Sequence, residues 1–418
     1  MSERSEGTAP PVTPPVKEFR ALLAAKLPAE WVAAVGDGDT ARIEELAASE
    51  LGPPAVRAVA ARGWLTPEWP AEYGGRGLAP DEAVEIRREL RRWRVGDVSS
   101  AIGTAWVGPA ILRFGDEHLR RRLLPRIARN EALWCQLFSE SEAGSDLAGV
   151  RTRGRREGKD WILTGGKMWT SRANLARWGL ALVRTDPSAA KHAGLTCFCV
   201  DMSTPGLSIH PIRQMTGDHE FFEVRLDDCV VPDALRLGAP GQGWEVVRAV
   251  LAFERQAGSG VGAAPPGSVV GRGVDELIEH VRGTLDPVRA DEVVRIAMES
   301  RLVELNNRRT ATERAAGRTP PEGPFNKILQ AEHSKRLQRL FVGLGGIGAV
   351  ARDPGDAWAG ANSWAFLRVQ AKTIAGGTSE VLRGQLAERV LGLPRDPDPT
   401  RSLPWQDTVS GGGTEAGR

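Results

Sequence analysis

The spacing of the apolar residues in this 418-residue chain changes twice along its length. Near the N-terminus Phe19, Leu22 and Leu23 recur at helical spacing, and helical spacing returns after Gly243. Between about residue 134 and residue 240 the period is two, as in the run Leu195–Val200, and turn residues separate several short runs of this kind. Such a chain predicts helices, then a compact antiparallel sheet or barrel, then helices again.

The predicted fold class is therefore α+β and mostly α, with an N-terminal helical domain, a middle antiparallel β-barrel or sheet domain and a C-terminal helical bundle. The length agrees with several domains, because 418 residues are too many for one simple core. The polar, proline- or glycine-rich ends predict flexible segments. The predicted divisions are a disordered arm at 1–15, a helical domain at 16–133, a β domain at 134–240, a helical domain at 241–395 and a flexible tail at 396–418.

Composition and charge exclude several classes of function. The net charge is only +2 and the arginines form no stripe, which argues against nucleic-acid binding. No run of 18 apolar residues predicts a membrane span. The N-terminus has no apolar core of a secretion signal, so a cytoplasmic protein is expected. The four cysteines form no CxxC pair, so neither a metal site nor a disulfide framework is predicted.

The stretch Trp134–Asp146 reads W-C-Q-L-F-S-E-S-E-A-G-S-D, and its apolar run stops abruptly at Ser139. A strand followed by hydroxyls and glycine brings Ser139, Ser141, Ser145 and backbone N–H groups toward one point, where they can hold an anion. The alternative is a turn capped by serine and aspartate.

Five stretches, in this order, carry a resemblance to a known family. They are Arg62–Leu78 (R-G-W-L-T-P-E-W-P-A-E-Y-G-G-R-G-L), Trp134–Asp146, Trp161–Ser171 (W-I-L-T-G-G-K-M-W-T-S), Leu251–Arg255 (L-A-F-E-R) and Thr373–Arg395. Together they resemble the acyl-CoA dehydrogenase family over roughly residues 60–395. The resemblance implies an FAD-dependent enzyme that converts an acyl-CoA thioester to a trans-2-enoyl thioester. It also implies an external electron acceptor, such as an electron-transfer flavoprotein.

The resemblance assigns a flavin-binding role to residues of the middle domain. Phe138 and Ser139 would contact the pyrimidine side of the isoalloxazine ring, and Ser145 would reach toward the pyrophosphate. Trp169 would lie against the ring as a flat apolar wall, and Ser171 would hydrogen-bond N5. The alternative for Trp169 is an ordinary core aromatic in a strand.

The resemblance also implies a glutamate base for the α-proton, at one of two positions. One position is Gly376 here, which cannot be a base, and the other is Glu254. Glu254 is therefore the predicted base, since burial beside flavin and an acyl chain raises a carboxyl pKa. Gly376 keeps its N–H, which would donate to the thioester carbonyl. The alternative for Glu254 is a surface ion pair with Arg248 or Arg255.

Three further assignments concern glycine and threonine. Gly343–Gly348 spells G-x-G-x-x-G, but helical pattern precedes it and no βαβ unit surrounds it, so we reject a Rossmann site. By the resemblance, Gly345 and Gly346 would instead lie near the ADP of a neighbouring subunit's flavin, and Thr378 near the adenosine side. Gly103 and Gly108 would leave room in the acyl pocket, or would only permit close helix packing.

The resemblance implies a homodimer or homotetramer, or a heteromeric assembly, through the C-terminal helices. Three other functions stay open: a flavin-dependent oxidase or monooxygenase, a dehydrogenase of carrier-protein thioesters, and a degenerate partner subunit that supports an active homologue. The last is motivated by Gly376, by the departure from the family pattern at Ser141-Glu142, and by the lack of an Arg-x-x-Phe-Gly motif between 290 and 325.

Overall fold

The structure is a computed structural model, and it describes residues 13–95, 101–258, 271–283, 286–315, 318, 323–350 and 357–409. The chain divides into two compact units, one within Met1–Thr104 and Asp116–Leu133, the other within Ala105–Gly115 and Trp134–Arg418. Helices occupy both ends of the sequence and a β-sheet lies between them, which confirms the predicted fold class.

The first unit is helical and packs around buried tryptophans. Phe19 lies against Trp64 with ring centroids 5.2 Å apart, and the Trp31 indole N–H donates to the Trp93 carbonyl over 3.0 Å. The N-terminal part of the chain forms α1 (Pro14–Lys26), α2 (Ala29–Asp37), α3 (Thr40–Ala48), α4 (Gly52–Ala60), a 3₁₀ turn (Ala71–Tyr73), α5 (Pro80–Arg92), a π-helical segment (Ile102–Val107), α6 (Gly108–Phe114, in the second unit) and α7 (Glu117–Ala128).

Helix α1 begins earlier than the sequence predicts. The predicted arm extends to residue 15, but the helix starts at Pro14. Proline is accommodated in a first helical turn because the N–H it lacks has no partner there in any case. The remaining residues of the predicted arm, 1–12, lie outside the described residues.

The second unit contains one sheet in the order β6-β7-β3-β2-β4-β5-β8, with β1 beside β4. Pairs β2–β3, β3–β7, β4–β5, β5–β8 and β6–β7 are antiparallel. The strands are β1 (Trp134–Leu137), β2 (Arg153–Glu157), β3 (Asp160–Ser171), β4 (Trp178–Arg184), β5 (Leu195–Asp201), β6 (Leu207–Ile212), β7 (Phe221–Pro232) and β8 (Arg236–Leu237).

The predicted antiparallel sheet also contains two parallel pairs. Strand β1 runs parallel to β4, and β2 meets β4 in parallel at the pair Arg153–Arg184. Parallel neighbours cannot be joined by a tight hairpin. In the sequence, β2 and β3 with a long loop separate β1 from β4, and β3 separates β2 from β4.

The C-terminal helices of the second unit pack around Leu277, Leu337 and Phe341, which are fully buried. Helix α11 changes direction at Gly346, where the backbone leaves helical geometry. The helices are α8 (Gly243–Gly258), α9 (Val274–Val281), α10 (Pro287–Ala315), α11 (Gly323–Val350), α12 (Ala357–Val369), a 3₁₀ turn (Gln370–Thr373), α13 (Ser379–Arg389) and α14 (Trp405–Val409).

Residues 398–409, which we call the C-terminal strap, correct the prediction of a flexible tail from residue 396. The Trp405 N–H donates to the Ala189 carbonyl over 2.9 Å, and the Arg184 guanidinium lies 4.2 Å from the centre of a Trp405 ring. Tryptophan makes this order possible, because it supplies a large contact area at low conformational cost. The glycine-rich end that suggested flexibility, 410–418, lies outside the described residues.

Candidate active site

The end of β1 brings Phe138 and Ser139 beside β3. Phe138 is buried, Ser139 is half-buried, and the Ser139 carbonyl accepts a hydrogen bond from the Met168 N–H over 2.8 Å. Met168 lies where the pairing of β3 with β7 shifts register, between Lys167 and Thr170. The structure thus brings the predicted stretch Trp134–Asp146 next to the predicted stretch that contains Trp169.

The shift in register turns Trp169 outward. Its backbone adopts φ +61°, which is uncommon for a residue with a side chain, and its side chain is 56% exposed. The edge of the ring meets Phe221, with centroids 6.3 Å apart. The alternative of an ordinary core aromatic is therefore wrong for Trp169. Ser171, two residues on, is half-buried and lies opposite Phe221 in the sheet.

A buried ion pair, which the sequence analysis did not single out, joins these two stretches. The Lys167 ammonium is completely buried and donates to Glu140 over 2.7 Å, to the Leu182 carbonyl over 2.6 Å and to the Phe138 carbonyl over 3.2 Å. An ammonium has three N–H donors, and each one finds an acceptor here. A lysine within a strand motif was the available signal, but periodicity cannot tell whether such a lysine is buried.

Burial lowers the pKa of Lys167, while the neighbouring Glu140 charge opposes that effect. Burial alone would raise the pKa of Glu140. The charge and hydrogen bond of Lys167, with hydrogen bonds from residues 151 and 152, outweigh it, and the pKa of Glu140 is lowered. The ionised carboxylate is thus the form that the surroundings of Glu140 favour.

Glu140 also closes the loop that carries Ser145. Its carboxylate accepts from the backbone N–H of Arg151 over 2.7 Å and of Thr152 over 3.0 Å. Ser145 itself is exposed, and its neighbour Asp146 pairs with Lys191 at 2.5 Å. The alternative of a turn capped by serine and aspartate fits less well, because Glu140 holds the two ends of this loop.

The structure brings Glu254 and Gly376 together, although 121 intervening residues separate them in the sequence. A Cβ atom built on Gly376 would lie 3.8 Å from Glu254 Oε1, an ordinary contact distance. Glu254 is half-buried on α8. Gly376 is exposed and has φ +69°, a left-handed conformation that favours glycine. The Glu254 carboxylate therefore faces the place that a side chain at position 376 would take.

The segment after Gly376 is held from two sides. The Lys327 ammonium of α11 donates to the Gly377 carbonyl over 2.6 Å. The Thr378 hydroxyl accepts from the Val381 N–H over 3.1 Å and so caps α13. Thr378 thus has a helix-capping function in this chain, and its predicted flavin contact stays a prediction.

The remaining predicted glycines lie in helical segments. Gly345 and Gly346 belong to α11, so helix and not strand precedes them, in agreement with the rejection of a Rossmann site. Gly103 is buried in the π-helical segment, and Gly108 is buried at the start of α6. The two belong to different units, and their role in an acyl pocket stays a prediction.

Three domain models of one family match the chain: the acyl-CoA dehydrogenase N-terminal domain at residues 26–131, the middle domain at 135–229 and the C-terminal domain at 241–391. Acyl-CoA dehydrogenase IpdE1 of Mycobacterium tuberculosis is 37% identical over 390 residues, which cover 91% of this chain and 98% of IpdE1. The chain belongs to the acyl-CoA dehydrogenase family. The family resemblance inferred from the five sequence stretches is thereby confirmed.

Other relatives of this family are similar over most of the chain. Acyl-CoA dehydrogenase FadE34 of M. tuberculosis is 39% identical over 81% of this chain, which spans about half (46%) of the length of FadE34. Among solved structures, the Tcur3481-Tcur3483 steroid ACAD has a TM-score of 0.71 and 26% identity, covering 91% of this chain and 97% of that one. The ChsE4-ChsE5 complex from M. tuberculosis has a TM-score of 0.67 and 26% identity, covering 93% and 100%.

Members of this family are FAD-dependent flavoproteins, so the chain is an FAD-dependent acyl-CoA dehydrogenase-family oxidoreductase, as predicted. The described residues fit the cofactor, because the exposed Trp169 offers a flat apolar surface beside the half-buried Ser171. Among the described helices, none is long and apolar enough to cross a membrane. In the same part of the chain, no group of three His, Cys, Asp or Glu side chains is arranged to hold a metal.

Proposed function

We propose that the chain dehydrogenates an acyl-CoA thioester between its α and β carbons, giving a trans-2-enoyl-CoA. The observation that carries this proposal is the carboxylate of Glu254, which lies 3.8 Å from the place of a Cβ on Gly376. The two positions at which family members hold their base thus meet in one place. Of these two positions, 254 carries a carboxylate in this chain and 376 carries none.

Glu254 acts as the base that removes the α-proton. Partial burial on α8 favours this role, since removal from water makes a carboxylate a stronger proton acceptor. The Gly376 N–H donates to the thioester carbonyl and stabilises the negative charge that develops on its oxygen as the proton leaves. FAD, when bound, supplies the acceptor for the hydride from the β-carbon.

The flavin-binding residues act by position and shape. Trp169 covers one face of the ring system, and Ser171 provides a hydroxyl beside it. Phe138 and Ser139 bound the same site from the end of β1, and Ser145 lies on the adjoining loop. In an assembly, Gly345 and Gly346 would lie near the ADP of a neighbouring subunit's flavin, and Thr378 would contact the adenosine side.

We propose an acyl-CoA with a steroid-derived acyl group as substrate. Two similar solved structures motivate this class: the Tcur3481-Tcur3483 steroid ACAD and a variant of it, each 26% identical to this chain. Gly108, buried at the start of α6, would leave room for a bulky group. A straight-chain fatty acyl-CoA is the alternative.

We propose that the chain assembles with a second subunit of the same fold through α10. Val294, Met298, Leu302 and Leu305 are exposed and recur every three or four residues, so they share one face of that helix. An exposed apolar face of this kind is typical of an interface. The partner is either a second copy or a homologue, and the similar structures of Tcur3481-Tcur3483 and of the ChsE4-ChsE5 complex each pair two proteins. Electrons would pass on to an electron-transfer flavoprotein.

An anaerobic titration tests the reaction and the substrate class together. The purified, FAD-saturated protein is titrated with a steroid-derived acyl-CoA, with straight-chain acyl-CoAs and with a carrier-protein thioester, and flavin absorbance is followed. We expect the steroid-derived acyl-CoA to reduce the flavin at the lowest concentration. Rapid peroxide formation in air would indicate an oxidase instead. Protein that retains no flavin after added FAD would indicate the degenerate partner subunit.

A further inference from the structure

A cavity of about 750 Å³ opens on the sheet of the second unit, between strands β2 and β4 and the C-terminal strap. Five arginines line it: Arg151, Arg153, Arg155, Arg156 and Arg184. Trp405 of the strap lines it as well, and no carboxylate is among the described residues that line it. We call it the arginine cavity. A concave site with cations and no acid differs from an ordinary solvated basic face, where charges of both signs alternate.

The charge of Arg184 lacks a carboxylate partner among the described residues. Its side chain is buried (2% exposed for the whole residue), and its N–H groups donate to the carbonyls of Ala148, Val150 and Lys191. Burial lowers the pKa of Arg184 to about 10, because desolvation disfavours the cation, although acidic residues at longer range oppose this. A buried cation without an ion pair is costly, and an anion bound in the cavity would offset that cost.

The other arginines are available for a ligand. Arg153 is exposed, and its guanidinium makes no hydrogen bond or ion pair with any described residue. Arg151 pairs with Glu142 at 3.1 Å and Arg155 with Glu157 at 3.4 Å, and all four of these side chains are more than half exposed. Exposed pairs of this kind are weak, so an incoming anion can replace them.

The strap fixes the shape of the arginine cavity. The Trp405 ring lies over the Arg184 guanidinium at 4.2 Å, and the Gln406 N–H donates to the Pro187 carbonyl over 3.0 Å. A smaller cleft next to it shares Arg151 and Trp405 and reaches Asp146, the neighbour of Ser145. The arginine cavity therefore adjoins the loop that we assign to the flavin site.

We propose that the arginine cavity binds the phosphate groups of a phosphorylated small molecule. Guanidinium groups recognise phosphate oxygens through paired, charge-assisted hydrogen bonds, and several of them on one concave surface favour a ligand with more than one phosphate. Two sources have this chemistry: the phosphorylated nucleotide end of an acyl-CoA, or a free phosphorylated metabolite. The first source rests on the proposed function, and the second does not.

The test uses the FAD-saturated enzyme, so that the flavin site is filled, and radiolabelled pyrophosphate in equilibrium dialysis. We expect one saturable site per chain. Arg153→Glu should weaken binding about tenfold or more, because it replaces a charged hydrogen-bond donor with a repelling group. Arg225→Glu on β7 makes the same change of net charge outside the cavity and should leave the affinity unchanged. Arg155→Glu is a second variant within the cavity, in case Arg153→Glu fails to fold.

Absence of saturable pyrophosphate binding would overturn the proposal, and so would equal weakening by the cavity variants and by Arg225→Glu. Displacement of bound pyrophosphate by CoA, but not by pantetheine, would assign the site to the nucleotide end of the substrate. Saturable binding that CoA does not displace would assign it to a free phosphorylated metabolite. Both assignments keep the arginine cavity as a phosphate site. If no acyl-CoA reduces the flavin, the proposed function fails, while pyrophosphate binding still decides this inference.

Discussion

Replacing Lys167 by methionine tests the buried ion pair that joins the two stretches of the candidate flavin site. The substitution keeps an unbranched apolar stem and removes the ammonium with its three hydrogen bonds. It leaves the carboxylate of Glu140, only 8% exposed, without its cation. Breaking a buried pair in this way costs about 3–5 kcal/mol of unfolding free energy.

The geometry favours the lower end of that range. Glu140 keeps the hydrogen bonds from the backbone N–H groups of Arg151 and Thr152, which continue to stabilise its charge. We therefore expect a loss of about 3 kcal/mol for Lys167→Met. The double variant Lys167→Met/Glu140→Gln should lose less than the single one, because no unpaired charge remains buried.

Urea unfolding at one fixed FAD concentration measures these differences, since bound cofactor itself stabilises the folded state. The FAD dissociation constant is the second readout, and it should rise for Lys167→Met, because Phe138 and Met168 lie next to the pair. Arg20→Met is the matched control. It breaks the Arg20–Glu89 pair of the first unit and should leave FAD affinity unchanged. A loss below about 1 kcal/mol, with unchanged FAD affinity, would refute the reasoning.

Three further predictions concern the backbone, pH and assembly. Gly376→Ala should lower the unfolding free energy by about 1 kcal/mol, because the backbone of Gly376 is left-handed. Gly384→Ala, in helix α13 with free space around it, should raise the unfolding free energy by about 0.5–1 kcal/mol. Urea unfolding should therefore show changes of opposite sign for the two variants, and changes of the same sign would contradict this. The hydrogen bond from Arg236, with a smaller contribution from an indole N–H, lowers the pKa of Asp233 to about 2 from 3.8. The ionised Asp233 carboxylate should contribute fully to the unfolding free energy above pH 3.8, and this contribution should be lost as the pH falls toward 2. Asp233→Asn should flatten that part of the curve of unfolding free energy against pH. Met298→Asp should shift the sedimenting species to a smaller mass, because it places a charge on the exposed apolar face of α10, and an unchanged mass would argue against this interface.

Periodicity and motifs sufficed for the fold class and the family. The change of apolar spacing near residues 134 and 240 reflects where strands replace helices, since side-chain direction repeats every two residues in a strand and every 3.6 in a helix. The motif around Trp169 led to a residue that the structure turns outward at a bulge. The motif L-A-F-E-R led to Glu254, which the structure brings to Gly376.

Other features depend on long-range contacts that no local pattern encodes. The burial of Lys167 depends on acceptors from two separate segments, Phe138 and Glu140 after β1 and Leu182 on β4. The parallel pairing of β1 with β4 depends on which strands become neighbours. The order of the C-terminal strap depends on the contact between Trp405 and Arg184, which are far apart in the sequence. Composition alone suggested flexibility there.

We propose above all that Glu254 removes the α-proton. Single-turnover reduction of the flavin by an acyl-CoA, followed under anaerobic conditions, tests it in Glu254→Gln. The control variant is Glu245→Gln. Glu245 is exposed on the same helix and accepts a hydrogen bond from the Gln242 side chain. With FAD content equal to the parent, Glu254→Gln should reduce its flavin about 10²–10⁴-fold more slowly, while Glu245→Gln keeps the parent rate. A parent-like rate in Glu254→Gln would contradict the account.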